Sequence, residues 1–518
     1  MATIPIYLLN TLFKHWQIIP LSPPSLRPRQ IPSIPIDVLQ EILLHLPFKD
    51  RLNVSVLSKT IYAVFPPRPT RVVVGSFTQL ASLAAYISDD PTRISSLRSL
   101  HILIYSKLSW ETTSYEDTQE NLFYTLENAR NLEELVCRGA AASGLMPATL
   151  TMSRRLAHVE LKGLPRILTG TEPSQHFFPP TLQSVHFTGR KCYSDESHHL
   201  DHMLRLVSHL PSLETFVVED YTLSSYRPGT THQEHGAQSE TGHNVILPSV
   251  QTLKFIGCSH LHFKLVSEIS RSFPNLTTLH FKEMCFPTPP PEYSVDHLVI
   301  QDGFRGDRPV PWKIRRLTCT HEVRDHITEF SLPGCGVDIS NVLCLTIKAR
   351  IISPRIWIHL STLARAARLV ELESSSTTFA ELVMWLIERP GLPVTPADVP
   401  LICISISTHD LEDPWHGPRE KWEQKRNEVL QTASKHFLSL RYVAMATPKP
   451  PAHIAPTPAF PGDDTPVWTW WRVHRDSAGS LVEIREIPVW EGQRVREFLR
   501  NSDADALKNF DRTFVALR

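Results

Sequence analysis

From about residue 95 onward, the apolar positions follow one short rule: an apolar residue, two of any kind, a second apolar residue, one of any kind, then a third. Copies occur at Leu97/Leu100/Ile102, Leu132/Leu135/Cys137, Leu156/Val159/Leu161, Leu182/Val185/Phe187, Leu213/Phe216/Val218, Val250/Leu253/Phe255 and Leu276/Leu279/Phe281. Weaker copies follow at Val295/Leu298/Ile300, Ile314/Leu317/Cys319 and Val342/Leu345/Ile347, with last candidates around Leu369/Leu372 and Leu440/Val443/Met445. The fourth and sixth positions are two apart, so they share one face of a short strand, and the first comes from the turn entering it. A helical stripe precedes some copies. In LDHMLRLVSHLPSLETFVV, Leu200, Met203, Leu204, Val207 and Leu210 fall on one face; in RIWIHLSTLARAARLVEL, Ile356, Leu360, Leu363, Ala364 and Ala367 do the same. Pro211, Pro248 and Pro274 separate helix from strand. Most copies lie 19 to 37 residues apart, and a 71-residue gap before the last breaks the period. One helix and one strand per repeat, stacked side by side, predicts an α/β solenoid.

Over roughly residues 95–445 this texture resembles leucine-rich repeat proteins. The resemblance is architectural. That family's Asn or Cys, three residues after the third apolar position, is nearly absent, and Cys258 is the one clear match. Irregular repeats are therefore expected, with exposed insertions such as residues 226–244. A compact α/β domain with short buried strands is the alternative architecture.

A different pattern occupies residues 34–59, IPIDVLQEILLHLPFKDRLNVSVLSK. Pro35 suits a first helical turn, and Asp37 suits its positive end. Val38, Leu39, Ile42, Leu43 and Leu46 recur at three- and four-residue steps, Pro47 stops the helix, and Asp50 is placed to cap the next. Leu52, Val56 and Leu57 supply a second apolar face. A segment this short cannot bury all of these faces by itself. Read together, residues 34–62 closely resemble the F-box. Ile34-Pro35, Asp37, Val38-Leu39, Glu41-Ile42-Leu43, Leu46-Pro47, Lys49-Asp50, Leu52, Val56 and Ser58-Lys59 fill that family's places in order. Ile34 replaces the usual first Leu, and Ile61-Tyr62 stands where a Trp is common. The resemblance implies an all-α module that binds a Skp-type adaptor and, through it, a cullin–RING ubiquitin ligase. Carried over, the adaptor-binding residues are Ile34, Pro35, Val38, Leu39, Ile42, Leu43, Leu46, Pro47, Leu52 and Val56. The C-terminal region would then select a protein substrate, whose identity and binding residues the sequence does not name. The alternatives are a helical cap packed on the first repeat, or a non-catalytic repeat scaffold without a ligase role.

These readings divide the chain into a leader and Pro-rich linker at 1–30, an F-box at 31–70, an irregular repeat solenoid at 71–445, a Pro-rich linker at 446–467 and a C-terminal cap at 468–518. Within the cap, WTWWRVHRDSAGSLVEIREI predicts a β-hairpin turning at Asp476–Gly479, followed by a charged helix. Trp468 and Trp470 point one way and Trp471 and Val473 the other, so both faces require cover. The expected fold class is α/β: a small helical module, then a solenoid, then a hairpin-and-helix cap.

Lys plus Arg (53) equal Asp plus Glu (53), which removes any electrostatic reason to expect nucleic acid or an acidic membrane as partner. The eight cysteines include no CxxC pair and read as small buried hydrophobes of a reducing compartment. A cytoplasmic or nuclear location leaves the sequons at Asn53 and Asn275 unglycosylated. MATIPIYLLNTLFKHWQ lacks a basic start and a cleavage site, and is interrupted too early to span a bilayer. Neither a GxSxG elbow, a Walker A loop, a GxGxxG turn nor an HExxH helix is present. His198 and His202 are four apart on a predicted helix, yet lack an evident third ligand; His232, His235 and His243 fall in the polar insertion. The expectation is a non-catalytic protein without metal or cofactor.

Overall fold

The computed structural model describes residues 4–5, 38, 69–104, 115–139, 150, 153–162, 178–189, 200–221, 245–258, 269, 271–285, 294–305, 312–321, 337–352, 356–374, 381, 399–408, 419–447 and 467–516. They fall into two compact units, Met1–Tyr221 with Gln238–Val250, and Thr222–Ala237 with Gln251–Arg518.

The first unit carries β1 (Ile4–Pro5), β2 (Arg71–Val74), α1 (Phe77–Asp89), β3 (Ser99–Ile104), α2 (Tyr115–Asn128), β4 (Glu134–Gly139), β5 (His158–Lys162), β6 (Ser184–Thr188), α3 (Leu200–Val207) and β7 (Thr215–Glu219). Strands β2 to β7 pair in parallel and in chain order, and β1 of the leader adds beside β2 through Ile4↔Val72. The fourth and sixth positions of successive copies stand opposite one another: Leu100, Leu135, Val159, Val185 and Phe216 form one ladder, and Ile102, Cys137, Leu161, Phe187 and Val218 the next. The entering residues Leu97, Leu132, Leu156, Leu182 and Leu213 are fully buried beneath them.

The second unit continues with β8 (Thr252–Ile256), β9 (Thr278–Cys285), β10 (Ser294–Arg305), β11 (Lys313–His321), β12 (Cys344–Ala349), α4 (Ile356–Leu363), β13 (Leu369–Ser374), β14 (Cys403–Thr408), α5 (Arg419–His436) and β15 (Tyr442–Thr447). These eight strands are again parallel and sequential. Two antiparallel strands, β16 (Val467–Arg475) and β17 (Leu481–Ile487), extend the sheet; α6 (Val489–Asn501), α7 (Ala504–Lys508) and α8 (Phe510–Ala516) follow. Each unit is thus α/β, built on an open, mostly parallel sheet whose strand order repeats the chain order.

In the described turns the residue after the entering apolar one offers its carbonyl to amides of the next copy, in most cases to two. Arg98 O accepts from Glu133 N and Glu134 N, Glu133 O from Ala157 N and His158 N, and Ala157 O from Gln183 N and Ser184 N. In the second unit Gln251 O, Leu343 O, Arg368 O and Ile402 O each do the same.

This ladder corrects three expectations. A copy lies inside the 71-residue gap, at Leu401/Ile404/Ile406, all buried, so the gap holds a full repeat. The copy placed around Leu369/Leu372 is in fact Ala367/Val370/Leu372, because Arg368 is the residue that pairs with Leu343 O. Leu369 belongs to the opposite sheet face, where the C-terminal helices bury it. In α4, Leu363 is 37% exposed, while Trp357 is buried and stacks near Phe437. The stripe there is Ile356, Trp357, Leu360 and Ala364, centred nearer Trp357 than the pattern suggests.

The hairpin turns where expected, with Asp476 Oδ1 accepting from Ala478 N and Ser480 N, and Gly479 at φ 83°. Both of its faces are covered. Trp471 and Val473 are buried on the side of α5, with the Arg426 guanidinium 5.1 Å from the Trp471 ring. Trp470 is fully buried on the other side by α6. The hairpin closes the edge beyond β15, but α6 does not sit at that edge: it turns back across the sheet towards β16 and β13. Val495, Leu499, Leu507, Phe510 and Phe514 form one core with Cys344, Leu369, Cys403, Tyr442 and Trp470. No described helix is long and apolar enough to cross a membrane.

Candidate functional site

One face of each sheet carries the apolar ladders. On the other, the third and fifth positions of each copy line up across the strands. In the first unit the fifth positions are His101, Val136, Glu160, His186 and Val217, in register. They bring together charges far apart in the chain. His186 Nε2 lies 2.9 Å from Glu219 Oε2, and its Nδ1 lies 3.5 Å from Glu160 Oε2. Glu160 also accepts a hydrogen bond from Arg138 Nε, and Thr188 Oγ1 donates to Glu219 at 3.2 Å. Beside them Glu134 accepts from Ser99 Oγ and lies 3.3 Å from His101 Nε2.

Burial works against charge at Glu160, but hydrogen bonds and positive charge from His186 and Arg138 overcome it and bring its pKa down to about 2. For His186 burial again opposes the charged form, and the two carboxylates outweigh it, raising its pKa. The result is a mutually neutralising Arg–Glu–His–Glu row that holds its side chains in one arrangement on a partly exposed face. Its carboxylates are spent on ion pairs, so what it offers chemically is a patterned polar surface.

The second unit divides this face in two. Across β8–β11 it presents Lys254, His280, Val299 and Thr318, with His297 Nε2 2.9 Å from Thr318 Oγ1. Burial, with Lys254 next in weight, pushes His280 down to about 4; burial with Arg316 does the same for His297, so both imidazoles are neutral near pH 7. Across β12–β16 the face is occupied by the chain's own C-terminal helices. Arg500 Nη2 donates to both oxygens of Glu371, at 2.9 and 2.7 Å. Arg496 Nε lies 3.1 Å from Glu371 Oε1, an ion pair not aligned as a hydrogen bond, while its guanidinium sits 4.2 Å from the Trp468 ring. Cys344 Sγ donates to Leu499 O, and Arg315 Nη1 to Ser502 O.

Of the residues expected from the sequence to bind an adaptor, Val38 is described: it is helical and 46% exposed. Ile34, Pro35, Leu39, Ile42, Leu43, Leu46, Pro47, Leu52 and Val56 lie outside the described residues, as do His198, His232, His235, His243 and the side chain of His202. Among the described residues no group of three or more His, Cys, Asp or Glu is placed to hold a metal ion. The polar row was missed in the sequence, although its signal is there: Glu160 and His186 stand at the fifth position of their copies, between two apolar ladder residues, and Arg138 and Glu219 directly follow the third apolar one.

The chain matches no curated protein in sequence. The family model of the F-box domain matches residues 31–65, a span that includes all ten residues expected to dock an adaptor. F-box domains bind Skp-type adaptors within cullin–RING ligases. By this match, the chain carries an F-box domain at residues 31–65.

Proposed function

We propose that this protein is a non-catalytic substrate receptor of a cullin–RING ubiquitin ligase. The match of residues 31–65 to the F-box domain carries the reading. Ile34, Pro35, Val38, Leu39, Ile42, Leu43, Leu46, Pro47, Leu52 and Val56 dock the Skp-type adaptor, which accounts for an apolar surplus that so short a segment cannot bury alone. The polar sheet face of the first unit, with its Glu160–His186–Glu219 row, receives the protein to be modified. Catalysis is by proximity: the receptor holds a substrate lysine near the ubiquitin-charged enzyme and raises its effective concentration without contributing a reacting group. Deletion of residues 31–65 in cells tests this. A protein that accumulates and loses ubiquitin in the deletion strain supports the reading; an unchanged proteome and ubiquitin profile contradicts it.

A further inference from the structure

The outer edge of β17 is a boundary of the second unit's sheet that no described strand or helix covers. Strand β16 pairs with its inner edge only, and α6 leaves its end to fold inward over β16 and β13. About every second residue of this seven-residue strand therefore turns its backbone donor and acceptor outward, with no Pro in the strand to blunt the edge. Large apolar side chains are exposed along it: Val482 is 65% exposed, and Val489 and Trp490, just past its end, are 49% and 67% exposed.

The sequence of this strand, LVEIREI, is complementary to itself. Laid antiparallel against a second copy about Ile484, it sets Glu483 opposite Arg485 and Arg485 opposite Glu483. Leu481 then meets Ile487, and Ile484 meets Ile484. The register with β16 puts Glu483 and Arg485 on one face, across from His474 and Arg472; Ile484 and Glu486 lie on the other, across from Val473 and Trp471. Both opposite-charge pairs therefore form on a single face, each between directly facing residues, where such pairs stabilise a sheet. Shifting the centre by one residue places Glu483 against Glu483 or Arg485 against Arg485, which like-charge repulsion disfavours. The charges that guard the edge against arbitrary strands thus select one partner in one register.

We propose that β17 is a homodimerisation edge, through which two copies of this chain join their sheets in a two-fold, antiparallel β17–β17 pair centred on Ile484. Such an interface is isologous and closes on itself. A single strand pair with flanking Val489 and Trp490 is smaller than a standard interface, so the dimer is weak, with a dissociation constant of about 10–100 μM. This inference is independent of adaptor binding.

Sedimentation equilibrium of the full chain over a concentration series tests it. The wild type is expected to pass from monomer to dimer. Glu483→Arg and Arg485→Glu each set like charges opposite one another twice, and weaken the dimer by about tenfold. The double reversal Glu483→Arg/Arg485→Glu restores it to within about threefold of the wild type, because the two pairs are re-formed with exchanged signs. Val482 faces Glu486 of the second copy in this register, so Val482→Arg tightens the dimer and Val482→Glu loosens it. That pair of variants decides the question if either reversal disturbs folding, since Val482 is 65% exposed. A monomer up to about 300 μM overturns the proposal, as does a dimer indifferent to these substitutions or a double reversal that fails to recover.

Discussion

Replacing Gly492 by Ala tests the seat of the C-terminal helices on the sheet. An ideal Cβ at Gly492 would lie 2.1 Å from Cγ and Cδ2 of Trp470, and 2.6 Å from Cε2. Carbon atoms pack at about 3.5–4.0 Å, so α6 must retreat by more than about 1 Å. The indole cannot yield in its place, because it is fully buried between α6 and the sheet. Two effects compete. Ala is a better helix former than Gly by about 1 kcal/mol. Overpacking a filled core costs about 1–3 kcal/mol, and an overlap with two ring atoms belongs at the upper end. The expected net is a loss of about 1–2 kcal/mol, read as a lower denaturant midpoint at unchanged slope and followed by tryptophan fluorescence. Trp470→Ala removes the obstructing ring atoms, so the double variant should lose less than the sum of the two single losses. Stability equal to or above wild type in Gly492→Ala would refute the reasoning, since propensity alone would then be acting.

Three further outcomes follow from the same geometry. Glu371→Gln leaves Arg496 buried beside a neutral amide and takes a bidentate partner from Arg500, so unfolding should show a loss of about 3 kcal/mol; a loss below about 0.5 kcal/mol would mean that the tail is not anchored there. The folded pKa of His186 is raised, so its contribution is complete below the ordinary histidine value and fades as pH rises through the raised one. Glu160 is lowered to about 2 from 4.5, so its contribution is present above 4.5 and fades as pH falls towards 2. The stability gap between wild type and His186→Gln should therefore be largest near pH 6 and narrow as pH rises through the raised value, and a gap that does not shrink with rising pH would contradict the ion pairing. Burial pushes the Cys137, Cys344 and Cys403 thiols up to about 12, so they should resist maleimide in the folded chain at pH 8 and react once denaturant is added; rapid labelling of the folded chain would show them accessible.

The strands were legible in the sequence because the fourth and sixth positions of each copy are buried by the stacking itself, as with Leu135 and Cys137 or Phe216 and Val218. The same rule located the hairpin and the opposite orientations of Trp470 and Trp471. It failed where burial comes from elsewhere in the chain. Leu369 is apolar because α6–α8 cover it, which masks Ala367 as the true entering residue. The copy at Leu401 was hidden because Ile402 and Cys403 are also buried, which turns a spaced pattern into a continuous apolar run. The charged row was unreadable for a related reason. Glu160, His186 and Glu219 are each an ordinary polar residue in a local window, and only the register of parallel strands places them together. The F-box segment is the reverse case: it is legible from its residues alone, since an apolar stripe ended by Pro47 is a local pattern.

Binding of the Skp-type adaptor to the purified chain, measured by titration calorimetry for the wild type and for the Ile42→Asp/Leu46→Asp variant, tests the proposed receptor role most directly. The wild type should form a one-to-one complex, and the variant should lose it by more than about a hundredfold, because each carboxylate replaces an apolar contact with a buried unpaired charge. Equal affinity of both proteins, with the sheet units folded in each, would contradict the docking of residues 31–65 on the adaptor.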